Sequence, residues 1–369
     1  MSRILFFKMR KNVFIVVLLV LSVVLPAFAY QLPDPHFENW SAVFKDEPQL
    51  QDWHGSNVSQ IGLKFVFMRQ KPGRTGRCAF VQDTSVGALG IVATGPGYIT
   101  LGEPWQYLKG LSVNSATAGT TGGIAWTYRP DTIAVWVKRT GENTDKEDFH
   151  ILYYSWAGTA KGSSYKNKVG KCTSTERIDE ESDIRQATDG NECGTDQAGQ
   201  QVAEGWYRAR ASYEDWTLIK VPILYRSDAR PIKCNVIFSA GNYPAFRAND
   251  GLYDGNALYV DDVQLIYSSC IDKLTINGEE WKAFDPNSEK VQTYKLPTAN
   301  SQEPIAINGF RGIGTLTNIK GESTFFQGRK LDASEMTIVP GEINGKPWVI
   351  TVKAEDGSST HVYKLKIVR

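Results

Sequence analysis

The sequence carries almost no excess charge of either sign. Its 369 residues include 41 lysines and arginines against 40 aspartates and glutamates, which gives a formal net charge of +1. This balance offers no electrostatic argument for nucleic acid or an anionic surface as a partner of the whole protein. We therefore predict no nucleic-acid partner.

Recognisable catalytic motifs are also absent. The four histidines stand in no HExxH or similar metal-binding spacing, no Gly-x-Ser-x-Gly motif occurs, and no CxxC pair indicates a structural zinc site. Hydrolysis of a glycosidic bond would need two carboxylates about 5–10 Å apart across a cleft. Acids that are candidates by residue type only are Glu147, Asp148, Glu214 and Asp215. The simpler interpretation is that these four are solvated residues in turns.

One apolar run stands out, and it lies at the N-terminus. Basic residues precede it, the run covers 13–25, and Ala27-Phe28-Ala29 follows as a small-x-small cleavage site. This order is typical of a secretory signal peptide, and the run is shorter than the roughly 20 apolar residues that span a bilayer. We predict a signal peptide over 1–29 and no transmembrane anchor after cleavage. The mature protein is expected to be secreted, periplasmic or on the cell surface.

The five cysteines have an odd count, so at least one is a free thiol. Cys172 and Cys193 lie in one polar, Gly-rich segment, and a disulfide between them would close a loop and stabilise it by about 3 kcal/mol. Cys78 and Cys234 lie in strand-like runs, which favours buried thiols that behave as small hydrophobic residues. We predict the Cys172–Cys193 disulfide on this basis.

Helical periodicity is missing from the sequence, in which no stretch of 12 residues is convincingly amphipathic. Short strand-like runs recur between turn signals instead, most clearly at 131–138, 149–156 and 256–267. Such a pattern favours a β-sandwich or barrel. The polar segment 157–205 interrupts this strand pattern, and we expect it to be either a functional lid or a solvent-exposed loop.

A second series of strands and turns begins after Cys270. It fills about 100 residues, which is the size of an immunoglobulin-like sandwich. Single cores stop growing near 250–300 residues, so two domains are expected for a mature chain of about 340 residues. We predict an all-β protein with one domain at 30–269 and a second at 270–369.

Three segments of the first domain resemble a known family. They are the opening 32–40, with Leu-Pro-Asp and Phe-Glu-Asn-Trp, the central 129–137, and the closing 255–267. Together they resemble the secreted bacterial family called putative carbohydrate metabolism domains. The resemblance implies a jelly-roll β-sandwich and a role in glycan use. The end of the second domain, at 354–358 and 363–365, resembles immunoglobulin-like modules appended to secreted bacterial glycan proteins.

The closing segment of the first domain contains two adjacent aspartates, Asp261 and Asp262. Val260 and Val263 both look core-facing although they are three residues apart, so the strand alternation must break between them at a bulge. Neighbouring carboxylates repel each other unless a cation is near, and a hard cation with oxygen ligands would fit. Jelly-roll carbohydrate modules bind a structural Ca²⁺ through the first aspartate of a similar motif and an N-terminal glutamate. The resemblance therefore assigns calcium to Asp261 and Glu38, with Asp262 beside them; the alternative is an acidic pair that accepts hydrogen bonds from turn amides.

Aromatic residues make up 11% of the sequence and cluster in the middle of the first domain. Alternation along 131–138 places Trp136 and Lys138 on the face opposite the core, where a ring beside a cation suits stacking on the C–H face of a sugar. The candidate sugar-contacting residues are Trp126, Tyr128, Trp136, Tyr154 and Trp156, with Tyr243 and Phe246 in a Gly/Asn-rich loop. The alternative is that most of these rings are core residues whose polar tips are satisfied.

These observations predict a secreted, non-catalytic protein that binds a polysaccharide or another glycan. A glycoside hydrolase with a carboxylate pair on the jelly roll is one alternative, and a structural or adhesion protein is another. A shallow aromatic face without paired acids would favour binding. Two facing acids of raised pKa in a cleft would favour hydrolysis.

Overall fold

The computed structural model describes residues 30–60, 63–88, 91–108, 116–121, 123–157, 165–166, 171–172, 200–241, 251–297, 304–317 and 321–369. The predicted signal peptide, most of the polar segment 157–205 and Cys193 lie outside these residues. So does the side chain of Cys172. The predicted cleavage site and the Cys172–Cys193 disulfide therefore stay predictions.

The described part of the chain is built from β-strands and contains no helix, which confirms the all-β prediction. Accordingly, it includes no helix of the length and apolar character needed to cross a membrane. The strands before residue 270 are β1 (Trp40–Phe44), β2 (Glu47–Leu50), β3 (His54–Gly55), β4 (Val58–Gln60), β5 (Leu63–Phe65), β6 (Met68–Pro72), β7 (Arg77–Gln82), β8 (Thr84–Ala88), β9 (Ile91–Gly95), β10 (Tyr98–Thr100), β11 (Glu103–Leu108), β12 (Ala116–Thr121), β13 (Ile124–Ala125), β14 (Thr132–Thr140), β15 (Phe149–Ala157), β16 (Tyr165–Lys166), β17 (Lys171–Cys172), β18 (Gln200–Ala209), β19 (Tyr213–Pro222), β20 (Leu224–Tyr225), β21 (Lys233–Ser239) and β22 (Ala257–Ile266).

Two large sheets enclose the core of this N-terminal part. One has five strands in the order β19-β14-β22-β7-β6, and the other follows β20-β18-β15-β21-β10-β3 with β13 added beside β21. Alternate residues of both sheets meet in one buried cluster, for example Val135 and Val260 from the first sheet and Ile151 and Val236 from the second. The arrangement is a β-sandwich, and its assignment as a jelly roll stays a prediction.

The strands after residue 270 form two further sheets around a second core. They are β23 (Lys273–Ile276), β24 (Glu279–Glu280), β25 (Val291–Lys295), β26 (Ile307–Thr317), β27 (Ser323–Lys330), β28 (Met336–Val339), β29 (Trp348–Lys353) and β30 (Thr360–Val368). Four of them pair in the order β24-β23-β26-β27 and the other four in the order β25-β30-β29-β28. Leu274, Ile350 and Tyr363 are buried at the centre of this core. The domain boundary at 270 and the immunoglobulin-like assignment stay predictions.

Glu335 lies at the centre of a buried charge network at the junction of the two cores. Its two carboxylate oxygens each accept a hydrogen bond of 2.7 Å from the Arg329 guanidinium. Oε2 also accepts one of 2.8 Å from Nη2 of Arg129, which belongs to the N-terminal part. Nη1 of Arg311 lies 3.6 Å from Glu335 Oε1. All four side chains are almost completely withdrawn from water.

Two further acids of the C-terminal part extend this network. Asp332 lies 2.7 Å from Arg129 and 3.0 Å from Arg230. Glu355 pairs with Arg230 and also accepts a hydrogen bond of 2.6 Å from the backbone N–H of Arg129. Both arginines belong to the N-terminal part, so ion pairs in a mostly buried interface join the two cores.

Two of the cysteines behave as predicted. Cys78 and Cys234 are free and buried, and Cys270 is free and partly exposed. Burial raises the pKa of the Cys78 thiol to about 12, so this group is a neutral packing residue rather than a reactive thiolate.

Candidate functional site

The five-stranded sheet turns one face to the core and the other outward. Along β14, Val135 and Val137 enter the core, whereas Trp136 and Lys138 lie on the outward face. Lys138 pairs across the sheet with Tyr259 of β22, which therefore shares this face. The alternation predicted for this strand from the sequence is present in the fold.

Four rings and one leucine occupy this outward surface, called the aromatic face below: Phe80, Trp136, Trp216, Leu218 and Tyr259. Tyr259 lies at its centre, with ring centroids 4.8 Å from Phe80 and 6.4 Å from Trp216. Trp136 pairs across the strands with Leu218, whose side chain is 42% exposed. Trp136, Trp216 and Tyr259 are half-buried, whereas Phe80 is buried beneath its neighbours and exposes 7% of its surface. Rings that rest on a rigid sheet and stay partly open to water suit contact with the apolar side of a polar ligand.

Lysine side chains lie over two of the rings. Nζ of Lys138 is 5.7 Å from the Tyr259 ring centroid, and Nζ of Lys71 is 5.7 Å from the Phe80 ring centroid. At this distance an ammonium group is attracted to the electron-rich face of the ring. The aromatic face is therefore basic as well as apolar.

Strand β22 contains the bulge that the sequence predicts. Val260 and Val263 both enter the same core, and the register with β14 shifts just beyond the pair Trp136–Asp261. Asp262 has a φ of +47°, a conformation that aspartate tolerates better than most residues. The bulge places both aspartates beside the turn that follows β6.

The aspartate pair holds this turn through hydrogen bonds and an ion pair. Asp261 Oδ2 accepts a bond of 2.7 Å from the backbone N–H of Arg74, and Oδ1 accepts one of 2.8 Å from that of Asp262. Asp262 Oδ2 accepts a bond of 2.6 Å from Arg74 Nε, and its Oδ1 lies 2.6 Å from His36 Nδ1. The Arg74 guanidinium then covers Trp136, with its carbon 4.6 Å from the ring centroid. Burial raises the pKa of Asp261 to about 6 against the opposing effect of these amides.

Glu38 holds the other end of the same turn. Its Oε1 accepts a bond of 2.7 Å from the backbone N–H of Arg77. Gly76 has a φ of +65°, and a Cβ there would collide with the Glu38 carboxylate, so glycine is required at this position. The two carboxylates that the calcium prediction brings together, Glu38 and Asp261, thus bind one turn.

Glu38, Asp261 and Asp262 are engaged with backbone amides, Arg74 and His36. In the described ranges, no group of three or more His, Cys, Asp or Glu side chains is arranged to hold a metal ion. Both Asp261 oxygens already accept N–H groups, and Arg74 supplies a positive charge beside Asp262. The geometry matches the alternative of an acidic pair bound to turn amides, and calcium binding itself stays a prediction.

We expect Asp261→Ala to lower the melting temperature by several degrees, and EDTA tests whether the predicted calcium adds to the stability of the wild type. The substitution leaves two backbone N–H groups without their acceptor at a buried position, at a cost of about 1–3 kcal/mol. Thermal denaturation with and without EDTA measures both effects, with Asp215→Ala on the exposed surface as the control. A fall of several degrees on chelation, absent from Asp261→Ala, would show that calcium completes the site, since a ligand at 100 times its dissociation constant stabilises by about 2.7 kcal/mol.

Three of the predicted sugar-contacting rings are buried in the protein. Trp126, Tyr154 and Trp156 expose 5%, 1% and 0% of their surface, so none of them presents a ring face to a ligand. Tyr154 and Trp156 lie on β15, a central strand of the larger sheet that is buried along both faces. Their side of this sheet packs in a third hydrophobic cluster with Tyr98 and Ile237.

The remaining predicted aromatics have separate positions. Tyr128 is half-buried and packs edge-on against Trp126 with centroids 5.2 Å apart, away from the aromatic face. Among the rings predicted to contact sugar, Trp136 lies on the aromatic face. Tyr243 and Phe246 lie outside the described residues.

Two acids, Asp83 and Glu147, form a pair in the interior, exposing 0% and 1% of their surface. Asp83 Oδ1 accepts a bond of 2.8 Å from the Gly97 N–H, and Glu147 Oε2 accepts one of 2.7 Å from Asn256 Nδ2. A Cβ at Gly241 would collide with both carboxylates, so the backbone seals the pair. Burial, followed by the charge of Glu147 and a hydrogen bond with it, raises the pKa of Asp83 well above its ordinary value. Burial next to Glu147 thus favours the protonated form of Asp83, while the nearby charge of Arg139 acts in the opposite direction.

The acids that the sequence offered for hydrolysis lie in different surroundings. Glu147 belongs to the buried pair, where neither water nor a substrate reaches it. Asp148 lies 3.3 Å from Arg210 in an ion pair, and Glu214 and Asp215 are exposed near the start of β19. A glycosidase needs an accessible pair about 5–10 Å apart, and the buried, hydrogen-bonded Asp83–Glu147 pair is not one.

Sequence reasoning missed most of the aromatic face. Tyr259 lies two residues before Asp261, and Trp216 two residues before Leu218, so strand alternation alone would have placed each ring on the outward side. Phe80 lies in a run of apolar residues that gives no indication of which face each occupies. Pairing between strands far apart in sequence brings these rings together.

No family model matches this chain, and no curated protein matches it. The resemblance described from the sequence therefore remains a prediction. Among solved structures, the chain is similar to a putative glycoside hydrolase from Bacteroides vulgatus, with 15% identity, a TM-score of 0.37, and coverage of 63% of this chain and 96% of that one.

Two other solved structures show comparable likeness. A putative glycoside hydrolase from Bacteroides thetaiotaomicron has 14% identity and a TM-score of 0.36, over 63% of this chain and 70% of that one. The K1 cleaved adhesin domain of Lys-gingipain from Porphyromonas gingivalis has 13% identity and a TM-score of 0.24, over 62% and 93%. Likeness at this level transfers no function to the chain.

Proposed function

We propose that this protein is a non-catalytic carbohydrate-binding protein and that the aromatic face is its binding surface. One observation carries the proposal: rings from three paired strands, among them Tyr259 and Trp216, stand partly open to solvent on a rigid sheet. The C–H face of a sugar ring is apolar and its rim is polar, which is the complement of a half-exposed aromatic ring bordered by polar groups.

The alternative of glycoside hydrolysis has less support from the described residues. Its requirement is a pair of acids that a substrate can reach, and the hydrogen-bonded acids Asp83 and Glu147 are sealed in the core. A binding surface needs no such pair. Export from the cytoplasm, expected from 1–29, belongs to the same proposal and is tested by N-terminal sequencing of the exported protein.

We expect Trp216→Ala to weaken glycan binding about tenfold, because aromatic contacts of this kind contribute roughly 0.5–1.5 kcal/mol beyond the area they bury. A glycan array on the mature protein identifies the ligand, and calorimetry on that ligand measures the dissociation constants. Phe325→Ala is the matched control, since Phe325 is 64% exposed on the C-terminal part and far from the aromatic face in sequence and sheet.

The proposal is contradicted if the array shows no glycan bound, or if Trp216→Ala binds the identified glycan as tightly as the wild type does. Equal losses in Trp216→Ala and Phe325→Ala would also contradict it, because the effect would then not be specific to the aromatic face. Unchanged melting temperatures in both variants show that each remains folded.

A further inference from the structure

The aromatic face carries several basic side chains, and its exposed acids lie at one edge. Five cations lie on the outward side of its strands or in the turn beside it: Arg69, Lys71, Arg74, Lys138 and Lys220. Asp261 on this face is fully buried and accepts two amide N–H groups, and the exposed acids Glu214 and Asp215 stand at the start of β19, next to Trp216.

Two of the five cations are neutralised by nearby acids. Arg69 lies 3.4 Å from Glu47, and Arg74 is paired with Asp262. Lys71, Lys138 and Lys220 make no ion pair with any residue in the described part of the chain. Three positive charges on this face are therefore available to a ligand.

Two of these three lysines stand beside the rings. Lys138 and Tyr259 are cross-strand partners, and Phe80 is the next partner of Tyr259 in the same row. Lys71 lies on the edge strand next to Phe80. Neighbouring strands lie about 4.8 Å apart, so the row from β14 to β6 spans about 14 Å. An oligosaccharide of this length has room to place a negative charge near each end of the row.

We infer that the aromatic face binds a glycan built from uronic-acid residues. The inference rests on the proposed function and adds the class of ligand to it. In a uronate, one sugar residue presents an apolar C–H face and a carboxylate on the ring substituent. This matches a half-exposed ring with an ammonium group beside it, as in Tyr259 with Lys138, and Lys71 adds a second ammonium group over the buried Phe80. Neither lysine is fixed by an ion pair, so each side chain can swing from its ring toward the carboxylate as the sugar stacks.

The test compares polygalacturonate with its fully methyl-esterified form, which has the same backbone without the charge. We expect the wild type to bind polygalacturonate at least tenfold more tightly than the ester, and the difference to shrink as salt is raised. Lys138→Gln and Lys71→Gln should each weaken polygalacturonate binding about fivefold and leave binding of the ester unchanged. Lys366→Gln, an exposed lysine of the C-terminal part, is the matched control and should change neither.

The other possible outcomes overturn either the uronate inference alone or the proposed function together with it. Equal affinity for polygalacturonate and its ester overturns the uronate inference and leaves the proposed function standing. Tighter binding of chondroitin sulfate than of polygalacturonate, or equal binding of a single-stranded oligonucleotide, shows that the face recognises sulfate or charge alone and also overturns the inference. A protein that binds neither polygalacturonate, nor its ester, nor any glycan of the array overturns the proposed function and the inference together.

Discussion

Glu335→Gln should lower the free energy of unfolding by about 3–5 kcal/mol. Glu335 is the acid against which Arg129, Arg311 and Arg329 are all packed, and the three guanidiniums have almost no contact with water. The substitution leaves the buried Arg329 without its carboxylate partner and removes one of the acid partners of Arg129 and Arg311. A buried charge that loses its partner is strongly destabilising. Urea denaturation measures the change from the unfolding midpoint and slope.

The control for this substitution is Glu280→Gln, which removes an exposed glutamate of the same C-terminal part. Substitutions at such positions change stability by about 0.5 kcal/mol or less. A loss below about 1 kcal/mol for Glu335→Gln would mean that the three arginines find other partners or water, and that the junction is looser than the structure shows.

Glu335 also makes the stability that the network contributes depend on pH. Burial acts to raise the pKa of Glu335, but hydrogen bonds from Arg329 and the charges of three arginines outweigh it and hold the pKa below its ordinary value. A carboxylate with a lowered pKa contributes stability above its unfolded pKa, and this contribution is lost as the pH falls through the folded value. The difference in stability between wild type and Glu335→Gln should therefore narrow as the pH falls below about 4.

Asp83→Asn should raise the free energy of unfolding at pH 8 by about 2 kcal/mol. In the wild-type interior Asp83 lies beside Glu147, and burial with that neighbour disfavours the charged form of Asp83, which high pH promotes. An asparagine keeps the shape of the protonated acid, and its amide donates to the Glu147 carboxylate permanently, a bond to a charged group worth about 1.5–3 kcal/mol. Urea denaturation at pH 5 and pH 8 measures the gain.

The sign of the pH effect follows from the direction of the pKa shift. Asp83 has a folded pKa above its unfolded value of 3.8, so between the two values the folded state binds more protons than the unfolded state. Stability of the wild type therefore falls as the pH rises through this window, and Asp83→Asn should reduce the fall. Asp215→Asn on the surface is the control, and an Asp83→Asn protein less stable than wild type at pH 8 would contradict the raised pKa of Asp83.

The bulge at Val260–Val263 shows how much a single strand can establish by itself. Two apolar residues with odd spacing cannot both face one core in a regular strand, so the sequence required a break in alternation there. The structure contains that break. What the neighbouring aspartates bind could not be derived in this way, because Arg74, the residue that contacts both of them, is distant in sequence and its position depends on the turn between β6 and β7.

The candidate sugar-contacting rings show the opposite case. Alternation correctly placed Trp136 outward, because one face of its sheet is open. The same reasoning could not place Tyr154 and Trp156, since β15 is buried on both faces and alternate residues then look equally apolar. Whether a sheet is covered depends on the other segments of the chain, and periodicity within one strand carries no information about them.

The sequence by itself determined the all-β class, the outward position of Trp136 and the broken alternation beside Asp261, because each follows from steric and hydrophobic rules that act over a few neighbouring residues. Tertiary structure alone decided the joining of Trp216, Tyr259 and Phe80 in one basic aromatic face. It also decided the sealing of Asp83 against Glu147 and the enclosure of Glu335 by arginines from both parts of the chain. These arrangements depend on contacts between residues tens to hundreds of positions apart, whose free energies are set by packing and desolvation that no local pattern records.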